Sequence, residues 1–136
     1  MKTPLELACI IDDDNIYVSL ISKIIKMKKL AKNLLVFRNG REALSYFDSL
    51  SEDFDAKKIP DIIFLDLNMP IMDGWQFIKA FGEVRQKLDK KVELYLVSSS
   101  IDPRDLQKAN GIEEISDYLL KPLKINDIEQ IFEIAS

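Results

Sequence analysis

The chain has 136 residues, 47% of them hydrophobic, and 19 Lys plus Arg against 23 Asp plus Glu give a formal net charge of −4. That length fits one domain with a core burying roughly two-thirds of the unfolded surface, which excludes disordered and fibrous chains. The acidic balance disfavours nucleic acid and anionic membranes as partners, the lone Cys9 excludes an internal disulfide, and no apolar run nears bilayer length, so the cytoplasm is the expected compartment.

From the N-terminus, the apolar run LELACII (5–11) predicts a first strand. Ile16, Leu20, Ile24 and Met27 recur at spacings of four, four and three, predicting the sheet-facing side of a first helix capped by Asp14 or Asn15. NLLVF (33–37) predicts a second strand, followed by a second helix capped by Asn39 and carrying Ala43, Leu44 and Phe47. SEDFDAKK (51–58) reads as a surface linker into the third strand, DIIFLD (61–66), whose unbroken apolar character predicts a central place covered on both faces. Asp73 and Gly74 shape a loop and start a third helix, on which Ala80, Val84 and Leu88 repeat every four residues. VELYLVS (92–98) predicts a fourth strand, and Asp102 followed by Pro103 a short fourth helix. ISDYLL (115–120) predicts a fifth strand, and Asn126 opens a fifth helix carrying Ile128, Ile131 and Phe132. Alternating strands and helices of this kind predict an α/β fold around a parallel sheet. The basic run KIIKMKK (23–29) reads as a solvated helix face, Cys9 as strand core and Trp75 as helix packing.

The chain contains no histidine, which excludes Ser-His-Asp and Cys-His catalysis, His-ligated zinc and a phosphohistidine of its own. Its four glycines form neither a dinucleotide-binding nor a P-loop pattern. Chemistry is left to carboxylates, hydroxyls and lysine. In parallel α/β sheets ligands bind at the carboxyl ends of the strands. There the first strand ends in Asp12, Asp13 and Asp14, and the third in Asp66. If those strands are neighbours the acids meet, and a carboxylate cluster with positions open to water and phosphate oxygens suits Mg²⁺. Ser98, Ser99 and Ser100 after the fourth strand and Lys121 before Pro122 after the fifth add hydroxyl and ammonium groups. Together they describe a phosphoryl site in which a carboxylate attacks phosphorus, with Asp66 the best-placed nucleophile. Asp14 reads better as a turn or helix cap.

The segments IIDDD (10–14), FLDLNMPIMDGWQF (64–77), LVSSS (96–100) and DYLLKP (117–122) resemble, in order and separation, the motifs of the receiver domain of two-component response regulators. The resemblance covers the whole chain and implies a flavodoxin-like (βα)5 three-layer sandwich with a five-stranded parallel sheet in the order 2-1-3-4-5. It implies one receiver domain over residues 1–136 with no output domain. Asp12 and Asp13 are then expected to hold Mg²⁺, Asp13 directly and Asp12 mainly through water. Asp66 is expected to be the phosphoacceptor and a metal ligand, with the Asn68 backbone carbonyl completing the shell. Ser98 and Lys121 are each expected to meet a phosphoryl oxygen, with a cis bond before Pro122. Ser98 and Tyr118 are expected to form a switch that alters the fourth helix, fifth strand and fifth helix. Ser100 and Asn68 stand where the family tunes hydrolysis.

The implied partners are a sensor histidine kinase or His-containing phosphotransfer protein and an unidentified downstream protein target. The expected function is a stand-alone phosphorelay switch rather than a metabolic enzyme, one that assists its own phosphoryl transfer and autodephosphorylation. Departures from the family pattern are the 51–58 linker, NGIEEIS (110–116) in place of a compact Gly-Ala turn, and Leu123 where an aromatic is frequent. The main rival is a phosphorylation-independent docking module on the same fold, which the full acid, hydroxyl and lysine set disfavours. A flavodoxin-type electron carrier would need a glycine- and hydroxyl-rich phosphate loop where three aspartates stand. An aspartyl-phosphate phosphohydrolase would need an acid where Asn68 stands.

Overall fold

Five apolar runs, each followed by a helical segment, form a single parallel sheet in the computed structural model, which describes residues 4–52 and 55–135. The elements are β1 (Leu5–Ile11), α1 (Asn15–Met27), β2 (Ala31–Phe37), α2 (Gly40–Glu52), β3 (Ile62–Asp66), α3 (Gly74–Lys87), β4 (Glu93–Ser98), α4 (Pro103–Asn110), β5 (Asp117–Leu120) and α5 (Ile125–Ala135). The strand order is β2-β1-β3-β4-β5, the expected 2-1-3-4-5. β3 is central and all its residues are buried, because helices cover both faces.

Successive β3 side chains point to opposite faces and so feed two cores. Ile63 and Leu65 join Phe47 of α2 and Phe77 and Phe81 of α3. Ile62 and Phe64 join Val18, Ile21 and Ile25 of α1 and Ile128 and Phe132 of α5. At the amino edge of the sheet, Asp61 accepts the N–H groups of Glu6 and Leu7 and pairs with Lys90 Nζ at 3.0 Å, fixing the strand register from below.

Several expectations need correction. α1 buries Tyr17, Val18, Ile21, Ile24 and Ile25, whereas Ile16, Leu20 and Met27 are 84%, 48% and 73% exposed. Eight of its thirteen residues are apolar or aromatic, so two stripes overlap at Ile24, and the wider one meets the sheet. Asp14, not Asn15, is its cap; Asn15 begins the helix and accepts a hydrogen bond from Arg38. α3 packs chiefly through Phe77, Ile78, Phe81 and Val84, with Ala80 only half-buried. α5 begins one residue before Asn126, and Asp127 accepts the Lys124 N–H at 3.3 Å.

The 51–58 segment is not wholly a linker: Ser51 and Glu52 extend α2, and Ala56–Lys58 form a 3-10 turn capped by Asp55. Asp53 and Phe54 lie outside the described residues. β5 starts at Asp117 rather than 115, because Ile112 and Ile115 are drawn onto the core beside α4. Leu123 is buried between the α1 and α5 sides of the second core.

Core and surface make opposite demands on substitution. Phe47, fully buried with ring centroids 5.1 Å from Phe81 and 6.4 Å from Phe77, should lose about 3–5 kcal/mol of unfolding free energy as Phe47→Ala. Met27→Gln, on the exposed side of α1, should change it by less than about 0.5 kcal/mol. Urea titration checks both.

Candidate functional site

Parallel pairing carries chemically active residues from distant stretches to one edge. Ile11 lies opposite Leu65, Asp66 opposite Val97, and Ser98 opposite Leu120. Asp12, Asp66, Ser98 and Lys121 therefore reach the carboxyl edge within two residues of each other's level. Asp12, Asp66 and Ser98 are buried, and Asp13 is exposed at the rim. One carboxylate oxygen from each of Asp12, Asp13 and Asp66 lies within 4.8 Å of the other two. Lys121 Nζ stands 2.9 Å from Asp12 Oδ2 and 3.6 Å from Asp66 Oδ1. The Lys121–Pro122 bond is cis, as expected.

The loops that hold these groups are built from short-range chemistry. Asp14 N–H donates to Asp12 Oδ1 at 2.9 Å, while the Asp14 carboxylate accepts the N–H groups of Ile16 and Tyr17 as the α1 cap. Asp14 stays outside the acidic cluster. After β3, the Asn68 backbone N–H donates to the Asp66 carboxylate, and the Asn68 side chain is exposed. Gly74 N–H donates to the Leu67 carbonyl at 2.9 Å. A Cβ at position 74 would stand 2.6 Å from the Asp66 carbonyl oxygen, so only glycine fits there. Asp73 and Gln76 then close a reciprocal capping box on α3.

Between them, Met72 N–H donates to the Pro70 carbonyl at 2.7 Å across Ile71, whose φ is 70°. That is a γ-turn with a β-branched residue in the left-handed region, a strained arrangement.

On the β4 side, Ser98 Oγ accepts Ser100 N–H at 3.0 Å. Ser100 Oγ donates to Asp105 Oδ2 at 2.7 Å and accepts Asp102 N–H at 3.3 Å, joining the strand end to α4. The half-buried Tyr118 donates its hydroxyl to the Ser100 carbonyl at 2.9 Å. Ser98 and Tyr118 are thus tied through one residue. Ser99 is exposed.

Electrostatics follow from this crowding. Burial, and then the Asp12 charge, raise the Asp66 carboxyl to about 6, against opposition from Lys121 and the Asn68 N–H. Burial pulls the Lys121 ammonium down, but its hydrogen bond to Asp12 and the charges of Asp12, Asp66 and Asp14 outweigh it, and its pKa rises. Tyr17, which the sequence reading passed over, also belongs here: Lys121 Nζ lies 4.4 Å from its ring centroid. Burial and the charges of Asp12, Asp66 and Asp14 push its phenol upward. Its only sequence signal is its place one helical turn after Asp13. Three carboxylates facing one ammonium leave an excess of negative charge, and their all-oxygen donor set fits a hard divalent cation such as Mg²⁺.

Residues 8–133 match the response regulator receiver domain family. The chain is 25% identical over 125 residues to the two-component response regulator ARR11 of Arabidopsis thaliana, covering 91% of this chain and 21% of that protein. It is 33% identical over 114 residues to the sensor histidine kinase CheAY of Helicobacter pylori, covering 82% of this chain and 13% of that protein. It therefore spans about a fifth of the first relative and less of the second. A two-component response regulator from Cytophaga hutchinsonii of known crystal structure is 32% identical, covers 98% of each chain and superposes with a TM-score of 0.83. The chain belongs to the response regulator receiver domain family. It is a signalling domain of the phosphorelay type, and among its described residues no helix is long and apolar enough to cross a membrane.

Two stability measurements test the site. The Asp66 carboxyl rises from 3.8 to about 6 on folding, so the native chain binds more protons between those values and loses stability as pH climbs through them. With divalent metals chelated, Asp66→Asn should be more stable than wild type by about 1–2 kcal/mol near pH 8, allowing for solvent screening, and the advantage should vanish near pH 4. Ile71→Gly, which relieves the left-handed strain, should add about 1 kcal/mol of unfolding free energy by denaturant titration.

Proposed function

We propose that Asp66 accepts a phosphoryl group from a phosphohistidine on a sensor histidine kinase or His-containing phosphotransfer protein. The acyl phosphate then switches a protein-docking surface on α4, β5 and α5. The observation that carries this reading is the convergence of buried Asp66 with Asp12, the rim acid Asp13 and Lys121 at one strand edge.

In the transfer, an Asp66 carboxylate oxygen attacks phosphorus and the P–N bond breaks. The departing imidazole nitrogen keeps the electron pair, its ring already carrying a proton on the other nitrogen. Lys121, which already sits between Asp12 and Asp66, pairs with an oxygen of the transferred group. The Ser98 oxygen accepts from Ser100, which leaves the Ser98 hydroxyl hydrogen to donate to another. Asp12, Asp13, Asp66 and the Asn68 carbonyl are the groups to hold Mg²⁺, Asp13 directly and Asp12 mainly through water. When bound, the ion supplies neutralisation of charge on carboxylate and phosphoryl oxygens. The same groups assist hydrolysis of the acyl phosphate.

Drawing Ser98 toward phosphate competes with its acceptor bond from Ser100 N–H, and Ser100 is also the acceptor for Tyr118. That shared residue couples the site to β5 and, through Asp105, to α4. The outcome is a shift between two conformations, limited by how much better the phosphate stabilises one of them. A groove of about 530 Å³ between β5 and α5, lined by Tyr95, Tyr118, Leu120, Ile131 and Ile134 among others, is the surface offered to the downstream protein.

Incubation with Mg²⁺ and acetyl phosphate followed by intact-mass measurement tests the reading. Wild type should gain one labile phosphoryl group and Asp66→Asn none. Equal labelling of the variant would move the acceptor elsewhere. A wild-type protein that stays unlabelled with acetyl phosphate and with a phosphorylated kinase would point instead to a phosphorylation-independent docking module.

A further inference from the structure

The geometry points to Tyr17 as a positioning residue: its ring face holds the Lys121 ammonium in place between Asp12 and Asp66. This rests on the reading of Lys121 as a partner of the transferred phosphoryl group.

Tyr17 lies in the first turn of α1, directly after the acidic run, and only 7% of its surface is exposed. Its backbone N–H is fixed by the Asp14 carboxylate at 3.2 Å, and its side chain packs in the core shared by α1, β3 and α5. Lys121 Nζ stands 4.4 Å from its ring centroid, within the distance of about 6 Å at which a cation is held by an aromatic face. The same nitrogen reaches Asp12 at 2.9 Å and Asp66 at 3.6 Å, so the ammonium sits among two anions and one ring.

These three contacts respond differently to chemistry. An ammonium on a four-carbon stem is a mobile point charge. Phosphorylation of Asp66 changes one of its anionic partners, and a cation bound by Asp12 competes with it for the other. The ring contact alone has no part in either event, so it keeps Lys121 over the site while its anionic partners change. It does so without adding a fourth carboxylate to a cluster already holding three.

The Tyr17 hydroxyl makes no such contribution. It is buried with no hydrogen-bond partner among the described residues. The ring is therefore the working part, and phenylalanine should replace tyrosine without loss.

The test compares the full chain as wild type, Tyr17→Phe and Tyr17→Leu. The readouts are the rate of phosphoryl uptake from acetyl phosphate at saturating Mg²⁺, the Mg²⁺ affinity by titration, and the NMR shift of the Lys121 ε-methylene protons. An aromatic face should shift those protons upfield in wild type and in Tyr17→Phe. Tyr17→Leu should lose the shift and slow uptake by about three- to tenfold, while Mg²⁺ affinity stays the same. Uptake by Tyr17→Leu equal to wild type would overturn the inference, as would equal slowing of Tyr17→Phe and Tyr17→Leu. An ordinary shift for Lys121 in the wild-type protein would overturn it without any variant, so a leucine protein that fails to fold leaves it testable. If wild type takes up no phosphoryl group, the phosphoacceptor reading fails, and the ring contact is still decided separately by the NMR shift.

Discussion

Asp12 and Asp66 are buried side by side, and the Lys121 ammonium stands 2.9 Å from one and 3.6 Å from the other. Asp13 adds a third carboxylate at the rim. Charges of one sign held this close, with little water between them, raise the free energy of the folded chain unless a cation offsets them. The raised carboxyl of Asp66 is the direct expression of that conflict. The rest of the molecule works as a frame that holds an unfavourable cluster in place, because the two cores pack regardless of what the cluster costs. The ladder of β1, β3, β4 and β5 sets the level of each group, and Asp61 with Lys90 pins the opposite edge. Gly74 brings α3 against the Asp66 backbone where any larger residue would collide.

The same frame links the site to the surface. Ser98, Ser100 and Tyr118 form one short chain of hydrogen bonds, and Ser100 also bonds Asp105 on α4. α4 itself is lightly anchored, with Ala109 its one buried residue. An element held by few apolar contacts shifts at low cost, whereas α3, seated on Phe77 and Phe81, does not. Packing thus leaves α4 more easily displaced than α3.

Much of the fold was legible because β3 and its neighbours are apolar runs of strand length between well-marked turns. The caps Asp102, Asn39 and Asp73 could be read directly, since each side-chain oxygen has one nearby N–H to accept. α1 was misread for a physical reason: a helix apolar nearly all round carries no unique period, and only its docking chooses a face. α5 was placed one residue late because Asp127 reaches back to Lys124, a bond that a forward scan for caps does not find. At the site, Asp12, Asp13, Asp66, Ser98 and Lys121 could be named because strand ends share one edge in a parallel sheet. Tyr17 could not, since an aromatic in an apolar helix looks like core until the lysine from the far end of the chain is placed above it.

Trp75 is the chain's single tryptophan, half-buried at the start of α3, and Lys108 of α4 holds its ammonium 4.6 Å from the indole centroid. Indole emission depends on nearby charge, and that charge rides on the lightly anchored helix. The protein consequently contains a built-in optical gauge of the α3–α4 separation, readable in dilute solution without dye or label.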